Sequence, residues 1–454
     1  MDPSVGSADH PHLPIFLRLW GIALLAHVIG NWTLHELPSM LGWVNLGVGL
    51  AGLLLITRPA RLTLLVGSVS VLASVLLEIP VTGNHWVVAG LVSAAALLCG
   101  GDPRCLFPAA RLILIVFYAF AAFAKFNSGF FDPSVSCAVF YANQWLDGFG
   151  LGPLPTSSSS SRAIVWGSAL IETMVPLLLL WRRSRPFGVL LASLFHILIS
   201  WDLNQHFYDF TAVLLPLFFL FTGETTAARL NSLFATAPSR TWRVVTWLSL
   251  GAATALWIAA ALPVTLATAS VLTTVPFLLW IPLSLLWLYA LVRNTTRGSA
   301  LGWSIGWPAA LVLVLTLLNG LSPYFEAKTA FSFNMYANLH TAAGESNHFL
   351  VTRTIPIREG YQGLVQIVDT TDPELELYSK RGYLLAYPQM RQYLFQHPDV
   401  GVTYIRFGSR YAIPRAGDDP AFNSPGPWWW RYFPLRAVDT EQPPRCQDVF
   451  LPAL

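Results

Sequence analysis

The sequence predicts a mainly α, polytopic transmembrane helical bundle of about nine to eleven helices, followed by a C-terminal extracytoplasmic α+β domain. Three observations predict it. Of 454 residues, 54% are hydrophobic and only 11% charged, with a mean hydropathy of +0.53, whereas an ordinary soluble domain carries roughly 25% charged residues. Apolar runs of about span length recur as far as residue 319. Basic residues collect in alternate connections between those runs.

The runs fall at 14–34, 41–57, 62–80, 84–100, 110–128, 163–181, 186–201, 208–222, 242–262, 271–292 and 301–319, eleven in all. Those at 186–201 and 208–222 are short, and read either as tilted spans or as re-entrant pieces. Between them, arginines gather as Arg58 and Arg61, Arg104 and Arg111, Arg182, Arg183 and Arg185, Arg229, Arg240 and Arg243, then Arg293 and Arg297. By the positive-inside rule these connections face the cytoplasm. The alternate ones, around His35-Glu36, Thr82-Gly83-Asn84, 129–162, 202–207 and 263–270, hold almost no Arg or Lys and face outward.

This alternation divides the chain into a cytoplasmic N-terminal tail (1–13), a transmembrane domain (14–319) and an extracytoplasmic domain (320–454). The first thirteen residues contain no Lys or Arg, so no cleaved presequence is expected. In the last domain Phe349–Pro356, Gly363–Val368 and Val400–Phe407 read as strands, and Gln389–Gln396 as a helix. Pro427-Trp-Trp-Trp-Arg-Tyr-Phe-Pro434 suits either the headgroup level of a membrane or a packed aromatic cluster. Thr156–Ser161 reads as a flexible outer linker.

Net charge is only +3, with no basic face for nucleic acid and no Cys-x-x-Cys spacing for structural zinc. Cys99 and Cys105 fall on the inner side. Cys137 and Cys446 share the oxidising outer side, where a disulfide between them and two unpaired thiols are the alternatives. Only three of the 27 basic residues are lysine, and this preference for arginine, with abundant alanine, points to a GC-rich genome and a bacterial cytoplasmic membrane.

One of those lysines, Lys125, lies in the apolar run Val116–Phe126. An ammonium near a bilayer centre costs about 2.5–3.5 kcal/mol, so it snorkels, finds a partner or loses its proton. Counting about 1.5 Å per residue from Arg111 puts Lys125 in the outer third of the membrane. Glu172 and His196, each ten or eleven residues from an arginine turn, fall near the midplane. Three ionisable groups on separate helices converge on a cavity or on one another. For Glu172 a buried partner, and for His196 an interhelical hydrogen bond, are the simpler readings. His27, Glu78, Asp202 and Asp209 lie closer to helix ends and read as structural.

The stretch Phe120-Ala-Ala-Phe-Ala-Lys125-Phe-Asn-Ser-Gly-Phe130 resembles the lysine-bearing segment of vitamin K-dependent γ-carboxylases and their bacterial HTTM-domain relatives. Glu172-Thr-Met-Val-Pro, the basic turn at Arg182–Pro186 and the pair Phe195-His196 resemble the family's next segment, in the same order. Phe331-Ser-Phe-Asn-Met335 and Val400–Pro414 resemble stretches of its lumenal domain. The resemblance implies that Lys125 is a neutral general base, with His196 and Glu172 beside it, acting on a lipid-soluble quinol such as reduced vitamin K or menaquinol. Ala124 stands where the carboxylases have a second lysine, and this chain has no histidine between His85 and His196, so peptidyl-glutamate carboxylation itself is not expected. The alternative is a non-enzymatic carrier, lipid-binding or assembly protein whose outer domain recognises a protein partner and in which Lys125 and Glu172 form a structural pair.

Overall fold

The structure is a computed structural model, described for residues 10–34, 37–203, 205, 207–235, 240–263, 265–294, 298, 306–357 and 363–446. Of the predicted features, residues 1–9 of the tail, the His35-Glu36 connection, Arg297 and the start of the last apolar run (301–305) lie outside the described residues.

Each apolar run contains a helix: α1 (Leu13–Gly30), α2 (Met40–Thr57), α3 (Arg61–Glu78), α4 (Asn84–Leu98) and α5 (Pro103–Ala124) come first. Short α6 (Ser128–Phe131) and α7 (Cys137–Gly148) follow, then α8 (Ser159–Leu180), α9 (Arg185–Ile199), α10 (Phe207–Phe219) and α11 (Glu224–Ala235). The set closes with α12 (Arg240–Ala261), α13 (Leu266–Asn294) and α14 (Trp307–Leu321). Among the described residues six of these, α1, α2, α3, α5, α8 and α13, are long and apolar enough to cross a membrane. The pair α10 and α11, bent by 116°, qualifies together as a seventh, while α4, α9 and α14 are shorter. Among the described residues six or seven helices thus reach span length, fewer than the nine to eleven expected. Hydropathy registers apolar character wherever it occurs, but turns such as Gly100-Gly101, both in the left-handed region, cut helices short.

Local signals start the helices, two of them ahead of the predicted runs: α5 begins at Pro103 and α8 at Ser159, so Ser159–Ser161, expected as part of a flexible linker, are helical. Ser39 Oγ accepts from Gly42 N at 2.9 Å, Asp102 Oδ1 from Arg104 N at 3.0 Å, and Ser158 Oγ from Ser161 N at 3.1 Å. Buried α1 packs on α2 through Gly21 and Gly52: a Cβ on Gly21 would meet the Gly52 carbonyl at 2.6 Å, and one on Gly52 the Gly21 carbonyl at 2.8 Å. Such close approach of backbones is the usual way helices associate where lipid offers no hydrophobic drive.

The bundle has two unlike ends. At one, arginines tie helix ends together: Arg111 Nε donates to Leu220 O at 2.8 Å, and Arg185 to Leu179 O and Leu180 O at 2.7 and 2.9 Å. Here Cys99 and Cys105 are disulfide-bonded across the α4–α5 turn, a bridge not expected from sequence because this end was assigned to the reducing side. The other end carries the C-terminal region, held by a second disulfide between Cys137 and Cys446, whose Cα atoms lie 4.8 Å apart.

In that region β1 (Thr341–Ala342) pairs with β2 (Glu345–Ser346), and a five-stranded antiparallel sheet has the order β6-β5-β3-β4-β7. Its strands are β3 (Val365–Thr370), β4 (Tyr383–Leu385), β5 (Val402–Arg406), β6 (Ser409–Ile413) and β7 (Val438–Asp439), with α15 (Pro373–Arg381) and α16 (Tyr387–Gln396) between them. Two predicted strands and the predicted helix are thus present. The third, Phe349–Pro356, is not a strand: it lies as extended loop across the end of α5, with Phe349 N donating to Phe126 O at 2.9 Å, and only Arg353 forms an isolated bridge. The unpredicted α15 is capped by Asp372 Oδ1, which accepts from Glu374 N and Leu375 N, and ended by Gly382 at φ 70°. Arg445 clamps Asp439 with contacts of 2.9 and 2.6 Å. Burial alone would raise the Asp439 carboxyl, but these bonds hold it below the usual carboxylate range.

The boundary drawn at residue 320 is too simple. After α14 the chain turns back, and Phe333, fully buried, enters the main core against Phe117. Phe331, Phe333, Tyr336 and Asn338 all have positive φ, a backbone state that costs a non-glycine residue of order 1–3 kcal/mol and persists only where surroundings impose it. The surroundings do so: Phe333 N donates to Asn84 Oδ1 at 2.7 Å, and Asn127 Nδ2 to Ala337 O at 2.6 Å. Farther on, exposed Trp428 and Trp429 are not an interior cluster, and Arg431 donates to Leu77 O and Ile79 O at 3.0 and 2.7 Å, capping the end of α3.

Candidate functional site

Lys125, Glu172 and His196 are brought into one neighbourhood. Lys125 caps the C-terminus of α5, and α8 runs past it, so that Glu172, midway along α8, meets it: Lys125 Nζ lies 2.8 Å from Glu172 Oε2. The same ammonium donates to Met335 O at 3.2 Å and sits 5.5 Å from the centre of the Phe130 ring. Both side chains of the pair are largely buried. His196 Nε2 contacts the hydroxyl of Tyr118, seven residues before Lys125 on α5 and so on the same face, while His196 Nδ1 has no hydrogen-bond partner among the described residues. The alternative of a buried pair, weighed for Glu172, is the arrangement found.

A second, larger constellation lies at the same end of the bundle, built from residues that sequence had set aside. His27 near the end of α1, Glu78 at the end of α3, His85 at the start of α4 and Asp209 at the start of α10 meet in a largely buried cluster. His27 Nε2 is 3.0 Å from Glu78 Oε1, and its Nδ1 is 3.1 Å from Asp209 Oδ2. His85 Nε2 and Asn31 Nδ2 both approach the same oxygen, Asp209 Oδ2, at 2.8 Å. Glu78 is fixed from behind: Ser74 Oγ donates to it at 2.7 Å and in turn accepts from Trp86 Nε1 at 2.9 Å. The His27 ring stacks on Trp86 with centroids 3.4 Å apart.

This cluster forms the floor of a cavity of about 310 Å³ between the bundle and the C-terminal region, within the size range of small-molecule sites. Three rings wall it: Tyr336 lies 4.4 Å from Tyr141 and 5.5 Å from Phe207, centroid to centroid. Met335, Cys137, Arg436 and Asp439 also line it. The two constellations are therefore joined through residues 335–336, whose carbonyl Lys125 holds and whose side chains face the cavity. Lys125 itself does not line it.

Comparison with protein-family models, with curated proteins and with solved structures returns no significant match. The site must therefore be read from its own chemistry.

Sequence reasoning missed the cluster for a definable reason. His27, Glu78 and Asp209 were each judged alone, and a single ionisable residue near a helix end has an easy explanation in water or headgroups. A usable signal was present in the predicted topology. His27 and Glu78 close helices that run toward one end, and His85 and Asp209 open helices that run away from it, so all four lie at one level.

Proposed function

We infer that the protein is a multipass membrane enzyme that moves a proton to or from a small ring-bearing, lipid-soluble hydroxy compound, such as a quinol, in the cavity between the bundle and the outer domain. The observation that carries this reading is the cluster His27, His85 and Asp209, aimed at an aromatic-walled cavity of ring-accommodating size. Imidazole and carboxylate groups are the usual agents of proton transfer, and aromatic walls suit a flat ring. Lys125 and Glu172 act here as positioning residues that hold the 335–336 segment in place. The resemblance to γ-carboxylase-like proteins supports the substrate class, though the base moves from Lys125 to the histidine cluster. Quinone extracted from the purified protein is expected to fall at least about tenfold in His85→Ala, the most exposed member of the cluster. Absence of quinone from the parent, or equal amounts in both, would remove this reading.

A non-enzymatic lipid-binding or assembly role is favoured by one observation, the closed Lys125–Glu172 pair. Turnover of an added quinol by the parent but not by His85→Ala separates the two.

The orientation proposed is N-terminus inside, because the arginine-rich end of the bundle is the one opposite the C-terminal domain. The cysteines test it. In intact cells reduced and then labelled with a membrane-impermeant maleimide, Cys137 and Cys446 are expected to react from outside and Cys99 and Cys105 only after lysis, since the two bridges lie at opposite ends of the bundle. Mass-shift labelling that gives the reverse pattern would invert the topology.

A further inference from the structure

We propose that His27, His85 and Asp209 bind a divalent transition-metal ion of the zinc or ferrous class, with an open coordination position facing the cavity. This deepens the reading above and rests on the same cavity, but the ion-binding claim stands or falls by itself.

The first argument is geometric. One ligand atom from each residue, Nδ1 of His27, a ring nitrogen of His85 and a carboxylate oxygen of Asp209, lies within 4.8 Å of the other two. Around a tetrahedral ion with bonds of about 2.0–2.1 Å, ligand atoms stand roughly 3.3 Å apart. The separations of 3.1 Å (His27 to Asp209) and 2.8 Å (His85 to Asp209) need to open by roughly 0.2 and 0.5 Å, and the two histidine nitrogens, within 4.8 Å of each other, to settle at the same spacing.

The second argument is the tautomer of His27. Glu78 takes the Nε2 proton, because a carboxylate can only accept. The Nδ1 lone pair then faces an oxygen of Asp209, and two lone pairs at 3.1 Å repel unless a proton or a metal ion lies between them. A carboxylate behind the far nitrogen of a histidine is also the arrangement that orients metal-binding imidazoles, here backed by Ser74 and Trp86.

Asp209 is 2% exposed, and its Oδ1 has no hydrogen-bond partner among the described residues, while Oδ2 takes all three neighbours. A bare oxygen on a buried carboxylate is costly without a cation or donor. Glu78 and Asp209 are two buried carboxylates, and a divalent ion bound beside them would balance both charges where a proton on His27 balances only one. Two imidazoles and one carboxylate form a ligand set suited to zinc or ferrous iron and not to calcium or magnesium, which prefer oxygen alone. A fourth position filled by water would make the proton-transferring group a metal-bound hydroxide, since such water ionises near neutral pH.

The test is made on the full chain purified in detergent without chelator. Elemental analysis is expected to give about one zinc or iron per chain, and after stripping, added Co²⁺ is expected to bind once with visible d–d absorption. His85→Ala and Asp209→Asn should weaken Co²⁺ binding at least about tenfold, whereas Glu376→Gln, on the exposed face of α15, should not. His85→Cys keeps a ligand and should add a thiolate-to-cobalt charge-transfer band, which a variant that merely disturbs folding would not do. Metal below about a tenth of an equivalent together with no cobalt spectrum, or a spectrum unchanged in the variants, would overturn the proposal. Stoichiometric metal without quinone or turnover retains the ion and removes the quinol reading; His85-dependent quinone binding without metal does the reverse.

Discussion

Lys125→Met is expected to destabilise the folded protein by about 3–5 kcal/mol, the cost of leaving one member of a buried ion pair uncompensated. The substitution keeps most of the volume but strands the Glu172 carboxylate, whose contact with Lys125 is 2.8 Å, and releases the Met335 carbonyl from its donor. Lys125→Met with Glu172→Leu should recover most of that loss, because an apolar pair of similar volume needs no desolvated charge. Thermal unfolding in detergent, followed by near-ultraviolet circular dichroism, reads both. A single variant as stable as the parent would show that the pair contributes nothing. A folded double variant that has lost turnover would instead return Lys125 to a chemical role, so the same two proteins separate structure from catalysis.

Replacing Cys137 and Cys446 together by alanine is expected to cost about 2–5 kcal/mol, measured as a lowered thermal midpoint and as faster proteolysis of the 132–158 connection. The bridge spans 309 positions of sequence and joins the start of α7 to the last described residue. Near it Asn338 Nδ2 donates to Val135 O at 2.9 Å, Cys137 N donates to Asn338 Oδ1 at 2.8 Å, and Cys446 N donates to Val135 O at 2.9 Å. Loss of the covalent tie therefore loosens the rim of the cavity, which Cys137 and Asn338 line. If the midpoint and the cleavage rate of the alanine variant match the parent, these hydrogen bonds alone hold the rim.

Composition and the arginine alternation were enough to locate the long apolar helices but not α7 or α11, because a membrane allows few backbone solutions along a span and places no such constraint on a connection. Strands of the C-terminal sheet were legible where alternation was strong, as in Val402–Arg406, whose residues 402 and 404 are buried. They were illegible at Tyr383–Leu385 and Val438–Asp439, which are too short to carry a period.

Side-chain partnerships depended on tertiary structure to different degrees. A lone lysine in an apolar run must snorkel, pair or lose its proton, and the sequence offered Glu172 as one candidate partner without choosing among these. His27, Glu78, His85 and Asp209 raised no such demand one at a time, since each lies at a helix end where water or headgroups suffice. Only the packing of α1, α3, α4 and α10 into one level, beneath a C-terminal segment that turns back to cover them, takes water away and makes the four a single electrostatic unit. The sequence by itself determined the long apolar helices and the alternation of arginines between them, and marked Lys125 as a charge in need of explanation, because those follow from solvent and charge acting locally. Tertiary structure alone decided where the cavity lies and which groups face it, because desolvation and convergence are properties of neighbours far apart in sequence, 182 residues for His27 and Asp209 and 249 for Asn84 and Phe333.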